Sequence, residues 1–127
     1  MTALDTAVVK RAVRFGLTGV LVTGVHALIA IAFMQWVSST PPLANGVAFA
    51  GATILSYSLN TLWSFSARLQ GKTLWRFAVV SLLGFCLAIL IAWIVQVLGW
   101  NYFVGIAAVA LTLPPISFLL HSFWTYR

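Results

Sequence analysis

Four long apolar stretches, separated by short polar breaks, set the pattern of this 127-residue chain. They cover about residues 15–37, 43–65, 75–98 and 102–124, each near the roughly 20 residues a helix needs to cross hydrocarbon. The break at residues 38–42 is an uncharged turn, Ser-Ser-Thr-Pro-Pro. The break after the third stretch is the tight turn Gly99-Trp100-Asn101. The middle break, residues 66–73, is longer and holds Arg68 and Lys72, with Arg76 just beyond. The first 14 residues are mixed and end in Lys10, Arg11 and Arg14. A basic segment before an apolar run also describes a signal peptide, but the first run exceeds an h-region of about 7–15 residues. The pattern predicts an all-α membrane protein: a segment 1–14, then four transmembrane helices within 15–127. Proline removes a hydrogen-bond donor, so Pro114-Pro115 predicts a bend in the fourth helix.

The pattern is written twice. Residues 56–65, Ser-Tyr-Ser-Leu-Asn-Thr-Leu-Trp-Ser-Phe, align without a gap on residues 117–126, Ser-Phe-Leu-Leu-His-Ser-Phe-Trp-Thr-Tyr. Ser56 falls on Ser117, Asn60 on His121 and Trp63 on Trp124, at a constant offset of 61 residues. Arg14-Phe15 and Arg76-Phe77 repeat one residue further apart. The chain therefore reads as one two-helix unit used twice.

Composition fixes the solvent. The chain is 62% hydrophobic and 6% charged, with mean hydropathy +1.06. About 25% charged residues is usual in a soluble domain, so these side chains cannot cover a water-facing surface. The net charge of +6 does not gather into a patch for nucleic acid, and no nucleic-acid partner is expected. All seven Lys and Arg lie at the N-terminus, in the middle break or at the C-terminus. The positive-inside rule then places both termini in the cytoplasm and the chain, multi-pass, in the cytoplasmic (inner) membrane. Each half enters and leaves on one side, so the halves are parallel repeats.

Little chemistry of the bond-breaking kind is legible. The one acidic residue, Asp5, gives no carboxylate pair for acid–base work. Two His and one Cys, far apart, make no zinc site. No enzyme, metal or cofactor is expected, and Cys86 reads as a small core residue. Polar residues in hydrocarbon usually face the bundle or a water-filled cavity. Ser56, Asn60 and Trp63 share one helix face, as do Ser117, His121 and Trp124. Both clusters lie near the cytoplasmic boundary. Arg14 and Arg76 open their helices on that side, where helix N-termini also favour an anion, and arginine is well shaped to grip phosphate. His26, halfway along the first helix, is a candidate proton-sensitive group in a transport path. Gly16, Gly19 and Gly24, with Gly46, Ala48, Ala50, Gly51 and Ala52, let helices approach in lipid. These small-residue faces also offer contact surfaces to a second copy, and a homodimer is expected.

These residues resemble the GtrA-like family of small four-span membrane proteins. The match runs through Arg14-Phe15, Gly19, Thr23, His26, Pro42, Ala44-Asn45, Tyr57, Asn60, Trp63 and Phe65. It continues through Arg76-Phe77, Gly84, Phe118 and Trp124. The resemblance implies a flippase, or a flippase component, moving a polyprenyl-phosphate-linked monosaccharide across the cytoplasmic membrane for cell-surface polysaccharide glycosylation. Its partners would be that lipid-linked sugar, membrane lipids and a membrane glycosyltransferase. The family usually carries a basic residue after the helix-end Asn; here Thr61 follows Asn60, and Ser122 follows His121. The alternative is a non-transporting subunit that recruits or stabilises a glycosyltransferase. A small multidrug-type exporter would need a carboxylate within a span, and none is present.

Overall fold

The computed structural model describes residues 2–127. Among them the regular structure is entirely helical. Helix α1 runs Ala3–Trp36, α2 Pro41–Leu59, α3 Gly71–Val97 and α4 Tyr102–Leu120. Neither α2 nor α4 stops there. Each widens into a single π-helical turn, Asn60–Ser64 after α2 and His121–Thr125 after α4. The chain divides into two compact units, one ending at Leu69 and the other beginning at Gln70. Each is a helical hairpin: α1 packs on α2, and α3 on α4.

Helix α1 begins well before the first apolar run. Thr2 Oγ1 accepts from the Asp5 backbone N–H at 3.2 Å, and Asp5 Oδ2 accepts from the Thr2 N–H at 2.9 Å. This capping box satisfies two donors that a helix start leaves free. Residues 3–14, read from sequence as a separate segment, are thus helical. At 1.5 Å per residue, α1 is about 51 Å long, against roughly 30 Å of hydrocarbon.

In the first hairpin, Ala44, Ala48 and Ala52 form a buried stripe at four-residue spacing. Their small side chains let α2 lie close to α1, as a Cβ built on Gly51 would sit 3.0 Å from Ile29 Cδ1. In the second hairpin, Phe77, Val80 and Val95 are the buried apolar side chains among the described residues. Helix α3 ends because Gly99 adopts φ +70°. Trp100 N–H then reaches Val95 C=O at 3.1 Å and Gly99 N–H reaches Gln96 C=O at 3.0 Å. These are the paired bonds of a glycine-terminated helix. Helix α4 continues through Pro114 and Pro115.

The outer surfaces are apolar. Leu28, Leu82 and Leu111 are all more than 60% exposed, which fits lipid as solvent. Three helical stretches among the described residues are long and apolar enough to cross a membrane: Ala3–Trp36, Gly71–Val97 and Phe103–Thr125. Helix α2 is outside that set; it carries Asn45, Ser56, Tyr57 and Ser58. Cys86 is exposed, contrary to the core position read from sequence; it lies on a face of α3 that α4 does not cover.

Candidate functional site

Each hairpin builds the same arrangement where its second helix ends. A helix C-terminus leaves backbone carbonyls without donors. In the first hairpin, Arg14 Nη1 crosses from α1 and donates to the Trp63 carbonyl at 3.0 Å. Its guanidinium carbon lies 5.4 Å from the Trp63 ring centroid. In the second, Arg76 Nη1 donates to the Trp124 carbonyl at 2.8 Å and, more weakly, to the Arg127 carbonyl at 3.4 Å. Its guanidinium carbon is again 5.4 Å from the Trp124 ring centroid. One arginine therefore caps a helix end and covers an indole at once. A hydrogen bond from a charged donor contributes about 1.5–3 kcal/mol, and a cation over an exposed aromatic face about 0.5–1 kcal/mol. Arginine has five donors, so each clamp leaves donors to spare. Arg76 Nε is buried without a partner.

Only Arg76 stands near a helix N-terminus, where the sequence placed both arginines. Because α1 starts at Ala3, Arg14 lies three turns inside it, away from the free N–H groups. Arg76 lies in the second turn of α3. What each arginine meets is the carbonyl end of the partner helix, where cations are favoured.

The π turns hold the polar residues. Phe65 N–H bonds the Asn60 carbonyl at 2.9 Å, and Tyr126 N–H bonds the His121 carbonyl at 3.1 Å, each spanning five residues. Such turns recur at functional positions. Asn60 and His121 are both 3% exposed, but they are held differently. Asn60 Nδ2 donates to Ser56 Oγ at 3.2 Å, while Asn60 Oδ1 is buried with no partner. Beside it Thr18 and Ser64 hydroxyls bond at 3.2 Å. His121 stacks on Phe77, with centroids 4.7 Å apart and planes at 13°. Its Nδ1 bonds Thr125 Oγ1 at 2.9 Å, and Tyr126 leans on the ring at 5.9 Å. The difference has a simple origin. Val80 stands where the first hairpin has Thr18, so Thr125, the counterpart of Ser64, pairs with His121 instead.

The aromatic residues differ too. Phe15 meets Phe65 edge-on at 6.2 Å in the first hairpin. Trp75 meets Trp124 edge-on at 5.4 Å in the second. Ser117 lies on the face of α4 toward Gly84 of α3. His26 is half-buried on α1, about 18 Å along the helix from Arg14; it belongs to neither cluster. Thr18, Ser64 and Thr125, each at most 1% exposed, complete the clusters and were not singled out by sequence. The signal for two of them was present, since Ser64 and Thr125 align within the repeat.

A helical membrane protein whose halves each carry an arginine–tryptophan clamp beside a buried polar turn defines the class. The model of the GtrA/DPMS transmembrane domain matches residues 14–126, and the chain belongs to that family. No curated protein and no solved structure matches it. Membership makes the chain a membrane protein of a family tied to lipid-linked sugar translocation.

Proposed function

We propose that the protein translocates a polyprenyl-phosphate-linked monosaccharide across the cytoplasmic membrane, alone or as a flippase component, for glycosylation of cell-surface polysaccharide. The duplicated Arg14–Trp63 and Arg76–Trp124 clamp carries this reading. A phosphodiester on a long apolar tail needs a cation at the edge of the hydrocarbon and an apolar face next to it, and each clamp supplies both. The guanidinium takes the phosphate oxygens with donors left over from the Trp carbonyl. The indole flanks the tail or stacks on the sugar. Asn60, Ser56, Ser117 and His121 lie on the adjoining helix faces, and His26 lies deeper along α1.

In this account all four helices span the membrane, with both termini and the Arg68–Lys72 segment cytoplasmic. Arg14 and Trp36 are 22 residues apart, about 33 Å of helix, which matches the hydrocarbon depth. The protein works as a homodimer, with Gly16, Gly19 and Gly24 of α1 leaving open space against which a second copy could pack.

A second reading, a non-transporting subunit that holds a glycosyltransferase, draws on the first three turns of α1. There Leu4, Val8, Val9 and Val13 are 46–74% exposed, beyond the depth that Arg14 marks. The test is the lipid that co-purifies with the protein, identified by mass spectrometry. The proposal expects a polyprenyl phosphate bearing one sugar, lost from an Arg14→Gln, Arg76→Gln variant. Bulk phospholipid alone, in wild type and variant alike, would refute it.

A further inference from the structure

The two halves repeat in backbone but not in chemistry. In the second half His121 is stacked on Phe77 and bonded through Nδ1 to Thr125. In the first half Asn60 is 97% buried and its amide oxygen has no donor. No neighbouring hydroxyl reaches it: Thr18 and Ser64 bond each other at 3.2 Å, and Ser56 Oγ accepts from the amide nitrogen on the other side of the group. A buried polar atom without a partner opposes folding. Leucine, branched at Cγ as asparagine is, would remove that penalty. A site that keeps such a group is set up for a partner that arrives later.

The free atom is an acceptor, and this restricts the partner. A sugar phosphodiester at neutral pH carries acceptors on its phosphate and donors only on its sugar hydroxyls. We propose that Asn60 is the residue that reads the sugar, its amide oxygen accepting a hydrogen bond from a sugar hydroxyl, while the phosphate is left to Arg14 of the same hairpin. The first half is then the sugar-selective half, and His121 at the matching place in the second is a structural residue. This rests on the lipid-linked sugar reading above and adds to it a division of labour between named groups. The π turn beginning at Asn60 is the natural place for opening: its backbone bond to Phe65 spans five residues instead of four.

The test measures binding of two probes to purified protein in nanodiscs: a polyprenyl phosphate without sugar, and the same lipid bearing one hexose. Wild type and Asn60→Leu are compared, with unfolding followed in both. The expected result is that Asn60→Leu is at least as stable as wild type. It binds the bare lipid with unchanged affinity and the glycosylated lipid about tenfold more weakly, equivalent to 1.4 kcal/mol. Loss of stability in Asn60→Leu would make Asn60 a packing residue and overturn the proposal. Equal loss for both lipids would show the amide turned over, its NH2 toward phosphate, and would overturn it too. Unchanged affinity for both would do the same. If wild type binds neither probe, the lipid-linked sugar reading fails first, an outcome distinct from a failure at Asn60 alone.

Discussion

His121→Leu removes more than its repeat position suggests. The ring donates to or accepts from Thr125 Oγ1 at 2.9 Å inside a turn where both residues are at most 3% exposed. Losing that bond leaves the threonine hydroxyl buried without its partner, which costs about 1–3 kcal/mol. The Phe77 stack, with centroids 4.7 Å apart, contributes about 0.5–1.5 kcal/mol beyond area. Leucine recovers the apolar burial, so the net loss is about 2–4 kcal/mol. At the aligned position the sign reverses, since Asn60→Leu removes an unpartnered oxygen. The assay is reversible unfolding of the purified protein in mixed micelles by graded denaturing detergent. Thr125→Val and the double variant close a cycle that isolates the hydrogen bond, with coupling of about 1 kcal/mol expected. A neutral His121→Leu, or no coupling to Thr125, would refute the structural role assigned to this histidine.

Three other outcomes are expected. Arg14→Gln and Arg76→Gln each lower affinity for a polyprenyl phosphate by roughly tenfold to a hundredfold, the equivalent of about 1.5–3 kcal/mol for a charged hydrogen bond; Gln35→Ala, in the last turn of α1 and far along that helix from Arg14, changes it little in the same titration. A cysteine at Ser39 is labelled by an impermeant thiol reagent added outside intact cells, while one at Gln70 is not. That labelling is scored in a Cys86→Ala background, because Cys86 is exposed.

Much of the helical layout is legible in the chain because apolar length is a strong signal. The boundaries that sequence missed are those set by side chains at a distance. Helix α1 starts at Ala3 rather than near Phe15 because Thr2 and Asp5 close a capping box, which hydropathy does not register. The π turns have no periodic signature of their own. They form where Arg14 and Arg76 reach carbonyls 49 and 48 residues further along the chain. The repeat correctly paired Asn60 with His121 and Trp63 with Trp124. It did not reveal that one member of the first pair is satisfied and the other is not. That difference depends on Thr18 against Val80, a position where the repeat had shifted by one residue. The direction of the arginines was also hidden: sequence places them on the rim, but only the fold shows them bonded to the opposite helix end.

The central claim is tested most directly by reconstituting purified protein alone in liposomes containing a radiolabelled polyprenyl-phosphate hexose. An impermeant oxidant added outside then measures how fast inner-leaflet sugar becomes accessible. The account predicts rapid loss of protection with wild type, slowed at least tenfold by the Arg14→Gln, Arg76→Gln variant. Protection as lasting as in protein-free liposomes, from a protein that is folded and still binds the lipid, would contradict transport and leave the subunit reading in its place.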